Sequence, residues 1–180
     1  NVAVPVTGMD YSKFNQNYKI NNLILSGVSN SFNVFCNESG YWTYYFSDRF
    51  GFNNPDFVWE MDERKNIFLI GDSNVHGGCV SVENSIAGKL RSISNVNVIN
   101  LGMSSNGPLL NYATFKEFGN LKNSKIFWFY SEENDLEDLK GELNYQILKN
   151  YLDDDDFIIN LQKKVKKTDS IAQEIINFKY

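Results

Sequence analysis

Three short apolar runs, Ile67 to Ile70, Val96 to Asn100 and Ile126 to Tyr130, alternate with two segments of helical periodicity, Val82 to Ser92 and Leu109 to Phe118. Strands that read as continuous apolar runs are written for burial on both faces. A strand, a helix and a second parallel strand close into a right-handed crossover in nearly all cases. The alternation therefore predicts an α/β fold, a three-layer sandwich around a parallel sheet. In such a sheet ligands gather outside the carboxyl ends of the strands.

The flanks read differently. Residues 1 to about 60 are aromatic and Asn-rich, with the alternation Tyr41-Trp42-Thr43-Tyr44-Tyr45-Phe46 between Gly40 and Ser47-Asp48, which predicts short strands and loops packed on the core. Ser47 to Asp56 has the Gly, Asn and Pro density of a structured connection, one that could line a site. Residues 61 to 180 form the α/β part, and its last third reads as helix. Leu139, Leu143, Ile147, Leu148 and Tyr151 or Leu152 recur at helical spacing, a second amphipathic run covers Phe157 to Val165, and a third runs from Ser170 to Phe178 with Ile171, Ile175 and Phe178 on one side. No strand is predicted after it. A sheet ending at its third strand leaves an apolar edge unpaired, so the expectation is a sequence cut just before a fourth strand.

With 180 residues, 42% of them hydrophobic, the chain has the material for one core and reads as one domain. A formal charge of −5 provides no broad basic surface, which disfavours nucleic acid as a partner. No apolar stretch is long enough to span a membrane, and the first thirty residues carry no secretion signal. An export signal, if the protein has one, is expected outside this chain. Asp153 to Asp156 and Lys163 to Lys167 read as solvated helix ends or faces. Cys36 and Cys79 could pair, but two cysteines make no disulfide framework and they are read as free thiols. One histidine and two distant cysteines cannot close a zinc shell, and no glycine-rich phosphate cradle is present, so neither metal nor cofactor is expected.

The chemistry sits after the three strands. The first ends in Gly71-Asp72-Ser73, the second runs into Asn100-Leu-Gly-Met-Ser-Ser-Asn-Gly-Pro108, and the third into Ser131-Glu-Glu-Asn-Asp135. In a parallel sheet these loops share one rim, so a hydroxyl, a loop with free amides and a carboxamide converge. That is the equipment of acyl transfer: the hydroxyl attacks a carbonyl and the N–H groups receive the oxyanion. Asn134-Asp135 is also ordinary helix-capping chemistry.

These three blocks resemble the first three motif blocks of the SGNH hydrolases, the GDSL esterase and lipase superfamily, over roughly residues 66 to 139. The resemblance implies a flavodoxin-like sandwich and a serine ester hydrolase or acetyltransferase. Ser73 would be the nucleophile, Asn134 an oxyanion donor, and Ser105 the residue whose amide completes the hole, with Gly102 as the fallback. Ser47 to Pro55 resembles the lead-in of bacterial members associated with surface polysaccharides, which makes a carbohydrate O-acetyl group a candidate substrate. The chain departs from the family in three places. Ser105 stands where a glycine is common, Glu132-Glu133 replaces a glycine-containing lead, and the Asp-x-x-His block that supplies the base is missing. His76 lies within one turn of Ser73 and cannot take that role; it reads as a polar residue at a helix start or as a substrate contact. The alternative is a non-catalytic relative that binds a glycan or a protein partner through the same mouth. Trp42, Tyr44 and Tyr45 are candidates for carbohydrate stacking, whereas Phe127, Trp128, Phe129 and Tyr130 read as strand core.

Overall fold

The computed structural model describes residues 23–38, 40–60 and 65–179, with side chains to residue 177. The first part of the expected N-terminal extension and the side chain of Phe178 lie outside the described residues. Among the described residues the fold is α/β, with a three-stranded parallel sheet, a two-stranded hairpin and six α-helices. No helix there is long and apolar enough to cross a membrane.

The sheet is formed by β3 (Asn66–Ile70), β4 (Asn97–Asn100) and β5 (Ser124–Trp128), in the order β4-β3-β5, so the strand nearest the N-terminus is central. Phe68 pairs with Ile99 on one side and Ile126 on the other. Successive side chains of β3 part to opposite faces. Phe68 and Ile99 join the larger core with Leu109, Leu110 and Ala113 of helix α3 (Pro108–Phe118). Leu69 and Val98 turn the other way, against Val75 of α1 (Ser73–His76) and Ala87 of α2 (Ile86–Ile93). Helices thus cover both faces of β3 and β4, and each buried Leu, Val or Phe side chain contributes roughly 2 kcal/mol through water exclusion.

Leu23 to Leu25, Phe52 and Val58 belong to that same larger core, so the N-terminal segment is packed in rather than appended. Its hairpin, β1 (Phe32–Cys36) and β2 (Thr43–Phe46), lies over α1. The Ser47–Asp56 connection is a buried scaffold. Asp48 accepts from the Phe50 and Phe52 amides, Asn54 Nδ2 and Trp59 Nε1, while Asn54 exchanges hydrogen bonds with the backbone of Asn100. Burial holds the Asp48 carboxyl above its ordinary range.

Several expectations are corrected. The helix expected from Val82 starts only at Ile86, because Ser85 caps it by accepting from the Gly88 amide; Val82–Asn84 is a 3-10 turn. The third strand lies two residues earlier than expected, at Ser124–Trp128. Its aromatic run is not core: Ile126 to Tyr130 are 38% to 50% exposed. The run from Leu139 to Leu152 breaks into α4 (Asp135–Glu142) and α5 (Gln146–Asp153). Phe157 to Val165 forms no α-helix. Glu117 of α3 takes the amides of Ile159 and Leu161 and leaves only a 3-10 turn at Leu161–Lys163, beyond which α6 runs over Val165–Lys179. Cys36 and Cys79 are bonded to each other, their Cα atoms 5.3 Å apart, which joins β1 to the loop leaving α1. The expectation of free thiols is therefore wrong; the hairpin that brings them together is not visible in their 43-residue separation.

Candidate functional site

The rim begins at Gly71, which ends β3. A Cβ there would lie 2.6 Å from Val75 Cγ2 and 3.2 Å from Phe129 Cβ, so only glycine lets the chain turn into α1 between those neighbours. The turn is bonded to both other loops: Met103 N donates to Gly71 O at 3.1 Å, and Phe129 N to Ile70 O at 2.8 Å. Asp72 caps α1 by accepting from the Asn74 amide. Ser73 follows as the first helical residue, exposed, its hydroxyl without a hydrogen-bond partner among the described residues.

The second loop reaches the third through α4. Gly107 packs so closely that a Cβ would lie 2.6 Å from Asp138 Cβ. Asp138 in turn accepts from Asn134 Nδ2 at 2.9 Å, which orients the carboxamide and leaves its second N–H free to donate. Asn134 also occupies the N-cap position of α4, without a side-chain capping bond. Ser105 is exposed and takes φ +64°, the left-handed conformation that favours glycine, and its amide has no hydrogen-bond partner among the described residues. Gly102 is unsuited as a fallback because its amide already donates to Asn100 Oδ1. The first and third loops border one open cleft of about 420 Å3, lined by Asp72, Asn74, Phe129, Tyr130, Ser131 and Glu133.

That cleft is acidic. Glu133, which stands where the resemblance implies a glycine-containing lead, lines it beside Asp72. Burial raises the Asp135 carboxyl above its usual range, with the charges of Asp72 and Asp138 adding to the effect; one of its oxygens accepts from the Ser131 amide and the other has no partner among the described residues.

His76 is fully buried and does not reach the cleft. Its Nδ1 accepts from the Ser104 amide, so the proton sits on Nε2, which donates to Tyr45 Oη at 2.9 Å. Burial depresses its pKa to about 3, so the ring stays neutral. The histidine fastens the second loop and the hairpin to α1, with Phe35 stacked on it at 4.2 Å. Tyr45 is therefore an interior residue, unlike Trp42 and Tyr44, which stay exposed.

Two contributors escaped the sequence reading. Asp138 lies four residues after Asn134, a helical spacing that signals contact. Glu142, one turn further along the same face, accepts from the amides of Gly107 and Leu109 and caps α3 from outside; burial pushes its pKa up to about 7. Comparison with protein-family models, curated proteins and solved structures finds no match for this chain.

Proposed function

We propose that this rim is the acyl-transfer site of a serine ester hydrolase or acetyltransferase of SGNH type, on a flavodoxin-like sandwich, with a carbohydrate O-acetyl group as the favoured substrate. The observation that carries the reading is the exposed hydroxyl of Ser73, without a partner among the described residues, at the turn from the central strand into α1, a turn bonded to both other loops. In the proposed reaction Ser73 Oγ attacks the acyl carbon and its proton passes to a base. The free amide of Ser105 and the second N–H of Asn134 receive the oxyanion, each such donor being worth roughly 3 kcal/mol. The alcohol then leaves with the proton, and water or a second alcohol releases the acyl group from Ser73. The base is a group other than His76, whose nitrogens are both engaged. The cleft lined by Asp72 and Asn74, the two neighbours of Ser73 in the chain, carries Asp72 and Glu133 and so favours an acyl ester that is neutral or positively charged.

A second reading, binding without catalysis, is favoured by the same buried histidine. Hydrolysis of p-nitrophenyl acetate separates the two. The catalytic reading predicts turnover, or at least a burst of about one equivalent that Ser73→Ala abolishes. Equal rates in the parent chain and Ser73→Ala would leave only the binding reading.

A further inference from the structure

We propose that the groove between β2 and the segment Ser81 to Glu83 is a binding site for a neutral oligosaccharide. Because Tyr45 turns inward to His76, its neighbours Tyr44 and Phe46 must point outward. Phe32, paired with Phe46 across the hairpin, packs edge-on against both rings at 6.3 and 5.1 Å. Trp42 stands just before the strand, and it and Tyr44 are each 65% exposed. An aromatic surface of this extent in water marks a place where something binds.

The opposite wall of the groove, about 420 Å3 in volume, is formed by Ser81, Val82 and Glu83. Glu83 lies there with its carboxylate shifted below the usual pKa range by its own amide and the Ser81 hydroxyl, so it is an ionised acceptor open to the groove. A pyranose matches both walls. Its C–H faces are apolar and lie flat on aromatic rings, while the hydroxyls around its edge donate to a carboxylate. Among the described residues no lysine, arginine or histidine lines the groove, which argues against an anionic ligand. An extended peptide needs recesses for alternate side chains, whereas this groove is walled by the exposed rings of Phe32, Trp42, Tyr44 and Phe46.

The hairpin is fixed to the α1 region by the Cys36–Cys79 bond and the Tyr45–His76 contact, so the site is rigidly joined to the element that carries Ser73. The inference does not rest on the acyl-transfer reading, and it is tested in the Ser73→Ala background, where no turnover can interfere. Calorimetric titration with cellohexaose, xylohexaose, chitohexaose and maltohexaose is expected to give saturable binding of at least one sugar. Trp42→Ala should weaken it by about tenfold or more, and Glu83→Gln by severalfold. Trp128→Ala, which removes another exposed ring at β5, should leave it unchanged. The proposal is overturned if no sugar saturates by about 10 mM, if Trp42→Ala binds like its parent, or if Trp128→Ala abolishes binding. A groove that takes the peptide acetyl-Thr-Val-Thr-Val-Thr-Val-amide and no sugar overturns it as well.

Discussion

The two edges of the parallel sheet are finished in opposite ways. On β4, Asn54 stands in for a neighbouring strand: its Nδ2 donates to Asn100 O and its Oδ1 accepts from Asn100 N, while Asn97 Nδ2 donates to Val58 O. On β5 no such cover exists among the described residues, and Phe127, Trp128, Phe129 and Tyr130 face water. An uncovered apolar edge is a template for pairing with another strand. The contrast teaches that an apolar run specifies a strand, while its cover is specified elsewhere in the chain, here by a connection 46 residues away.

The largest effect should therefore come from the finished edge. Asn54→Ala removes one of the four donors to the buried Asp48 carboxylate and leaves both backbone groups of Asn100 without their side-chain partner in the interior, and should cost about 3–5 kcal/mol in denaturant melts. Phe127→Ala on the bare edge should cost less than about 1 kcal/mol. Equal costs would mean that β5 is covered in solution. Removing the bond that ties the hairpin over α1, as Cys36→Ser with Cys79→Ser, should cost about 2–4 kcal/mol by releasing its 43-residue loop. A smaller change would show that packing alone holds this cover in place.

The buried ionisable groups sharpen the comparison through pH. Glu142 has a folded pKa of about 7 against an ordinary 4.5, so the folded chain binds the extra proton and loses stability as pH rises between those values. Asp48 and Asp135, also shifted upward, act in the same direction. His76, depressed to about 3 from 6.5, does the reverse: its contribution is complete above 6.5 and is lost as pH falls. Between pH 4.5 and 6.5 the slopes of Glu142 and His76 oppose each other. In His76→Gln, stability should fall more steeply with rising pH than in the parent, by about 1.4 kcal/mol per unit, in chemical melts across this window. An unchanged slope would show that His76 is not buried neutral. Ser105→Gly relieves a positive φ and should stabilise by about 1 kcal/mol. A loss instead would mean that the hydroxyl makes a contact of its own.

The central sheet was readable because three apolar runs and their helices all carry the expected periodicity. The Phe157 to Val165 segment was not, since its amphipathic pattern is overridden by one distant carboxylate, Glu117. The pairing of Cys36 with Cys79 and the burial of His76 both depend on where the hairpin lies, a tertiary fact with no local signature. The loops that carry Ser73, Ser105 and Asn134 were legible as strand-end connections, but which glutamate faces the cleft was not, because two adjacent glutamates do not show it.

The most direct test of the account is the mass and location of a fluorophosphonate adduct. The account predicts a single adduct on Ser73, absent in Ser73→Ala and formed about tenfold or more slowly in Asn134→Ala, where the proposed oxyanion donor is lost. An adduct on another residue, or a Ser73 adduct that forms at the same rate without Asn134, would contradict it.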